Sequence, residues 1–234
     1  MNTKLFVAFG GALVLGLASA SAADIIGKVT LKGTPPAERP LPFDPQCGKL
    51  LKAGEKPTTI FYVVGKSGEL ADVFVSLKGI TGKSTGAKAE PAVLDQVACQ
   101  YVPYVSAVQT GQTINVKNSD PVLHNVHPTP KPGTGNKEVN QAQLPKGSDL
   151  PFVFPDAEEF LRFKCDIHPW MFAYISVVDH PYFSVTGNEG TFKIKNVPAG
   201  KHTVVANHRK AGEESQEVEV KDADVTVEFV LEVK

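Results

Sequence analysis

The chain has 234 residues, with 24 Lys and Arg against 25 Asp and Glu, a formal net charge of −1. That near-balance gives no electrostatic reason to expect nucleic acid or an anionic membrane as partner, and the length suits one large or two small β-rich domains. Three cysteines, Cys47, Cys99 and Cys165, leave an odd count. In an oxidising compartment, at least one is free, intermolecular or a ligand.

The first residues read as an export signal. Lys4 supplies the positive start, Leu5 to Leu17 form a short apolar run, and small residues follow from Ala18 to Ala23. The run is too short to span a bilayer, and Ala-Ser-Ala steps suit a signal peptidase. Cleavage is expected after Ala22, with Ala20 as the alternative, so residues 1–22 are a predicted signal peptide of a periplasmic or secreted protein. No cysteine sits at the junction to carry a lipid, and no later run reaches about 18 apolar residues, so no membrane insertion is expected.

Helical periodicity is nearly absent beyond that point. Short alternating stretches lie between Gly, Pro and Asn-Asp punctuation, the pattern of all-β sandwiches and barrels. A strand is predicted over Ile25 to Leu31. A Pro-rich stretch, Thr34 to Pro45, cannot join a sheet interior. A second strand set runs from Thr59 to Leu77, turned at Gly65 to Gly68, and Thr81 to Pro91 is a Gly/Lys/Ala-rich linker. Residues 24–90 thus form an N-terminal β segment. In the next segment, residues 91–179, strands are predicted at Tyr104 to Gln109, Gln112 to Asn118, Glu159 to Cys165 and Phe172 to Val178, with a polar, aperiodic loop from Pro128 to Asp149. Residues 181–234 alternate most cleanly. Phe192 and Ile194 share one face, and Val225, Val227, Phe229, Leu231 and Val233 line one side of the last strand.

The chemistry concentrates in "FKCDIHPWM". Leu161, Phe163 and Cys165 fall on one strand face, so the thiol should point inward. Cys165, His168 and Met171 then bring a thiolate, an imidazole and a thioether to one tight loop. That set is soft enough for copper cycling between Cu(I) and Cu(II). A second imidazole must come from elsewhere, and "NSDPVLHNVH" supplies His124 after the turn Asn118 to Pro121. Asn125 beside it is placed to hydrogen-bond across to the other ligand loop. His127 could replace His124 or join a second metal; the alternative is a polar surface residue. His180, His202 and His208 lie at strand ends or edges, far from the motif.

These two segments resemble the cupredoxins, most nearly the amicyanin-like group. The family pattern falls on Pro103, Val105, Gly111, Thr113, Ile114, Asn118, His124, Asn125 and Val126, and the short Cys-x2-His-Pro-aromatic-Met loop on Cys165 to Met171. The resemblance covers about 85 residues and implies one copper ion held by His124, Cys165, His168 and a weak axial Met171. Two features depart from it: the polar loop 128–149, and Gln112 where the family usually has an acid. "SVTGNEGTFKIKNVPAGKHTVVANH" in the last segment resembles the carboxypeptidase regulatory-like (transthyretin-like) β-sandwich, as do "GKVTLKG" and "LADVFVSLKG" near the start. The expected fold is therefore all-β: a Greek-key cupredoxin over residues 91–179 plus a transthyretin-like sandwich from 181–234, to which 24–90 may contribute strands.

The resemblance implies single-electron transfer with a redox protein partner. A copper storage or delivery protein and a non-redox interaction module are the alternatives. Pro169 and Trp170 are expected to form an apolar collar around an exposed His168 edge where a partner docks. With Cys165 on copper, Cys47 and Cys99 are left to pair or to stay as two buried thiols. There is no His-Cys-His, no nucleophile elbow, no His-Glu-x-x-His and no Gly-rich phosphate loop, so bond-making catalysis is not expected.

Overall fold

The computed structural model describes residues 22–234. The expected export signal lies outside the described residues, except Ala22. Sixteen strands follow: β1 Ala22–Lys32, β2 Phe74–Leu77, β3 Ala92–Val97, β4 Gln100–Val102, β5 Val105–Gln109, β6 Thr113–Asn118, β7 His124–Thr129, β8 Gln141–Gln143, β9 Leu150–Val153, β10 Glu158–Lys164, β11 Phe172–Val178, β12 Phe183–Val185, β13 Thr191–Pro198, β14 Gly200–His208, β15 Gly212–Val220 and β16 Val225–Glu232. They build four sheets, in the orders β13-β1-β16, β12-β2-β14-β15, β5-β11-β10-β7-β8 and β4-β3-β6-β9. The protein is all-β.

The first two sheets share one apolar core, with Ile25, Val29, Leu70, Val75, Ile194, Val204, Val227 and Phe229 among its buried residues. Period-two alternation puts them there: β16 buries Val227, Phe229 and Leu231 and exposes the residues between them. Gly27 marks a close approach in β1, where a methyl group would strike the Val227 carbonyl and the Phe192 ring. β1 and β2 thus pair with strands from residue 183 onward, and residues 92–178 form the other two sheets between them in sequence. That second pair of sheets closes on Leu94, Ile114, Val116, Phe152, Leu161, Phe163, Cys165, Met171 and Ile175.

Several strands differ from the sequence expectation. Of the set predicted over 59–77 only β2 is a strand; the rest makes isolated bridges, Val64 to Leu70 and Thr30 to Glu69. β7, β8 and β9 were not expected as strands: β8 lies inside the loop predicted over 128–149, β9 follows it, and β7 carries His and Asn on faces that the period-two rule reserves for apolar residues. β3 and β4 also went unseen. Their two-residue turn is Ala98-Cys99, with φ of 49° and 54°, a left-handed pair normally built from Asn-Gly. Asp120 makes this turn possible: its two carboxylate oxygens accept from the Ala98 and Cys99 N–H groups at 2.6 and 2.8 Å.

Cys47 and Cys99 are joined by a disulfide across 52 residues, worth about 4 kcal/mol on the chain-entropy estimate. The bond fastens a single helical turn, Pro45–Gly48, to the β3–β4 turn.

Where the two sandwiches meet, the Arg209 guanidinium lies 3.3 Å from the Tyr174 ring centroid and 5.6 Å from that of Tyr104. Nearby Asp72, at φ 60°, is pushed up to about 6 by burial, against the pull of Arg209. A carboxyl raised in the folded state costs stability at neutral pH, and that cost disappears as pH falls through 6 toward the unfolded value near 4. Asp72→Asn, which tolerates the left-handed conformation, is expected to raise stability by about 1–2 kcal/mol at pH 7 and by little at pH 4. Urea denaturation at both pH values checks this; an equal change at both would rule out the carboxyl charge as the cause.

Candidate metal centre

β10 delivers the first donor. Leu161 and Phe163 are fully buried on its inner face, and Cys165, in step with them just past the strand end, is 2% exposed. The chain then turns back into β11, and Lys164 pairs with Phe172. Within the turn Cys165 N donates to Met171 O (3.2 Å) and Met171 N donates to His168 O (2.9 Å). The loop is thus closed by its own backbone, with His168 and Met171 buried inside it. β7 opens with His124, which is wholly buried.

His124 Nδ1 lies 2.9 Å from His168 Nδ1, and Cys165 Sγ lies 4.0 Å from the first and 3.7 Å from the second. Asn125 joins the two segments. Its Oδ1 accepts from Cys165 Sγ (3.3 Å), Asp166 N (2.7 Å) and Ile167 N (3.3 Å). Tyr101 adds a second tie: its buried hydroxyl lies 3.1 Å from Asn125 O and 3.4 Å from Lys164 O.

Each imidazole also meets a carboxylate on its outer side. His124 Nε2 is 2.9 Å from Asp120 Oδ2, and His168 Nε2 is 3.6 Å from Asp44 Oδ2. The Asp120 contact holds the proton of a neutral His124 on Nε2 and leaves its Nδ1 lone pair bare, whereas Asp44, at 3.6 Å, acts on His168 only through charge. The bare His124 Nδ1 faces His168 Nδ1 at 2.9 Å, a spacing that needs a proton or a metal cation between the two nitrogens. With a proton there the rings differ. Burial opposes charge on His124, but Asp120 and the Cys165 sulfur outweigh it and hold its pKa above the ordinary value. Burial and the neighbouring His124 push His168 below its own. Burial likewise raises the Cys165 thiol, yet His124 and the surrounding backbone N–H groups bring it down overall, toward thiolate.

These donors suit copper. Metal bonds of about 2.0–2.3 Å to imidazole and thiolate place neighbouring donor atoms roughly 3–4 Å apart, and the three spacings here fall in or at the edge of that range. Two imidazoles with one thiolate form the donor plane of an electron-transfer copper site.

The surroundings of His168 differ from expectation. Its edge was expected to face solvent inside a Pro169-Trp170 collar, but His168 is only 3% exposed. The Pro-rich stretch, barred from the sheets, lies across the loop instead. Asp44 caps the 45–48 turn, accepting from Gln46 N and Cys47 N (both 2.8 Å), and points its other oxygen at His168. Phe43 stacks on Trp170 at 4.9 Å, and Trp170 Nε1 donates to Cys99 O at 3.1 Å. Trp170 therefore clasps this strap, while Pro169 stays exposed.

His127 is not part of the cluster. Its ring lies between Asp166 (2.6 Å) and Glu138 (2.7 Å). Sequence reasoning missed Asp44, Asp120 and Tyr101. Asp120 stands four residues before His124 within a recognised turn, which was the one available signal.

No protein-family model matches the chain, and no curated protein does. Among solved structures, it is similar to a mutant of amicyanin in the Cu(I) form (TM-score 0.33, 19% identity, covering 44% of this chain and 97% of that one). It is also similar to a novel purple cupredoxin from Nitrosopumilus maritimus (TM-score 0.31, 22% identity, 37% of this chain and 98% of that one). A third is a copper-containing nitrite reductase from Thermus scotoductus SA-01 (TM-score 0.34, 18% identity, 58% of this chain), of which this chain spans 27%.

Proposed function

We propose that this is an exported copper protein that holds one copper ion at His124, Cys165, His168 and Met171 and passes single electrons to and from a redox protein. The observation that carries the reading is the buried pair of Nδ1 atoms 2.9 Å apart with the Cys165 sulfur within 4.0 Å of both. Bound there, copper would supply a one-electron couple. The chain supplies the rest. Asp120 fixes the His124 tautomer, Asn125 and Tyr101 hold the two ligand segments at a set separation, and the apolar core excludes water. Rigid donors limit rearrangement between Cu(II) and Cu(I), which favours fast exchange. The flanking sandwich, whose motifs resemble the transthyretin-like family, would present the centre.

Adding Cu(II) to the mature, disulfide-intact protein should give an intense visible thiolate-to-copper band that saturates at one equivalent. A titration with no such band would defeat the proposal. Copper storage or delivery is the second reading, and the strap over His168 favours storage, because a covered ligand edge shields metal from a docking partner.

A further inference from the structure

The disulfide does more than staple two distant segments. Both of its sulfurs and a ring nitrogen of His168 lie within 4.8 Å of one another, and Cys99 stands equally close to Asp120 and His124. Cys47 and Cys99 are both wholly buried. The bond joins the two pieces that seal His168 from outside: the strap with Phe43 and Asp44, and the β3–β4 turn whose Cys99 carbonyl receives Trp170. It is also the strap's only covalent hold there. Its non-covalent holds include the Phe43–Trp170 stack, the contact of Asp44 with His168, and the packing of Phe43 and Leu50 on the core around Cys165 and Met171.

We propose that Cys47 and Cys99 form a second copper-binding group under thiol–disulfide control. Oxidised, the pair locks the strap over the centre. Reduced, it sets two thiols beside His168 as a soft landing site for Cu(I), through which metal enters or leaves the inner site. The delivery role rests on the copper reading of that inner site; binding at the pair does not.

The chemistry balances with a dithiol reductant, which gives two electrons and two protons and itself becomes a disulfide. The S–S bond breaks and two thiols form. Cu(I) then displaces both thiol protons and is held by two thiolates, the ligand type it prefers. As a disulfide, the same sulfurs carry no thiolate and are poor ligands, so the bond's state decides whether the outer site exists. Reduction also removes the covalent hold on the strap, which opens the His168 edge.

Two experiments on the full mature chain test this. In Cys165→Ser protein the inner thiolate is gone. Reduced with a phosphine and desalted, it should bind one Cu(I) in competition with a chromophoric Cu(I) chelator, with two sulfur neighbours by X-ray absorption. With its disulfide intact it should bind roughly 100-fold more weakly. Equal binding in the two states, or copper without sulfur neighbours, would overturn the proposal. In wild-type protein loaded with Cu(I), breaking the disulfide should speed copper loss to the chelator roughly tenfold or more, whereas ascorbate, which leaves the disulfide intact, should not. An unchanged rate would likewise overturn it. The inner site is read separately, by the colour of disulfide-intact wild-type protein with Cu(II). Colour without dithiol binding leaves the inner site standing alone, and dithiol binding without colour does the reverse.

Discussion

Replacing Cys165 with serine is expected to remove the visible copper band completely while leaving the protein folded. Serine is close in size, and its hydroxyl can still donate to Asn125 Oδ1, which now accepts from the sulfur at 3.3 Å. The folding cost should therefore stay near 1 kcal/mol. The copper site changes far more. A hydroxyl stays protonated at neutral pH and offers no soft electron pair, so the two imidazoles alone should bind Cu(II) at least about 100-fold more weakly. Cys99→Ser is the control with the opposite profile. It breaks the disulfide and costs about 4 kcal/mol, yet it should keep the colour, since Cys165, His124 and His168 remain. Optical titration of both variants with Cu(II), beside denaturation curves, separates the two effects. A coloured Cys165→Ser protein would mean that another thiol is the ligand.

The difference between these two cysteines was only half legible in the sequence. Cys165 could be placed because strand periodicity is local: Leu161, Phe163 and Cys165 sit two apart, and all three are buried. The last strand was legible for the same reason, with Val227, Phe229 and Leu231 inward. What failed was non-local. β7 looked like a loop because its first inward residue, ahead of Val126, is His124, polar by type and buried with partners from the Asp120 turn and the Cys165–His168 loop. The β3–β4 hairpin has no turn residues of its own, since Ala98 and Cys99 borrow their support from Asp120, more than twenty positions away. The covering of His168 follows the same logic. A loop judged alone shows an exposed imidazole, whereas the strap that hides it comes from residues 43–47, before the sheet that holds the loop begins.

Asp120 collects these non-local demands on one side chain, so its removal is expected to damage both fold and centre. Its carboxylate is 4% exposed and accepts from Ala98 N, Cys99 N and the His124 imidazole. Alanine there leaves two buried donors, Cys99 N and the His124 ring, and one half-buried donor, Ala98 N, without an acceptor. Each costs about 1–3 kcal/mol when buried, and two of them belong to a turn whose two positive φ angles already carry strain. A total near 3–5 kcal/mol follows, large for a single substitution. Copper should also bind about 10–100-fold more weakly, because His124 loses the group that orients its ring and keeps its proton on Nε2. Asp120→Asn separates the contributions. Its carbonyl oxygen can serve one donor while its amide opposes another, so stability should fall by less than in the alanine variant. The copper band should survive in both variants, since no ligand is removed. Denaturation midpoints of metal-free, disulfide-intact protein give the first effect, and chelator competition gives the second. An alanine variant within about 0.5 kcal/mol of wild type, with unchanged copper affinity, would show that water replaces the carboxylate at all three donors.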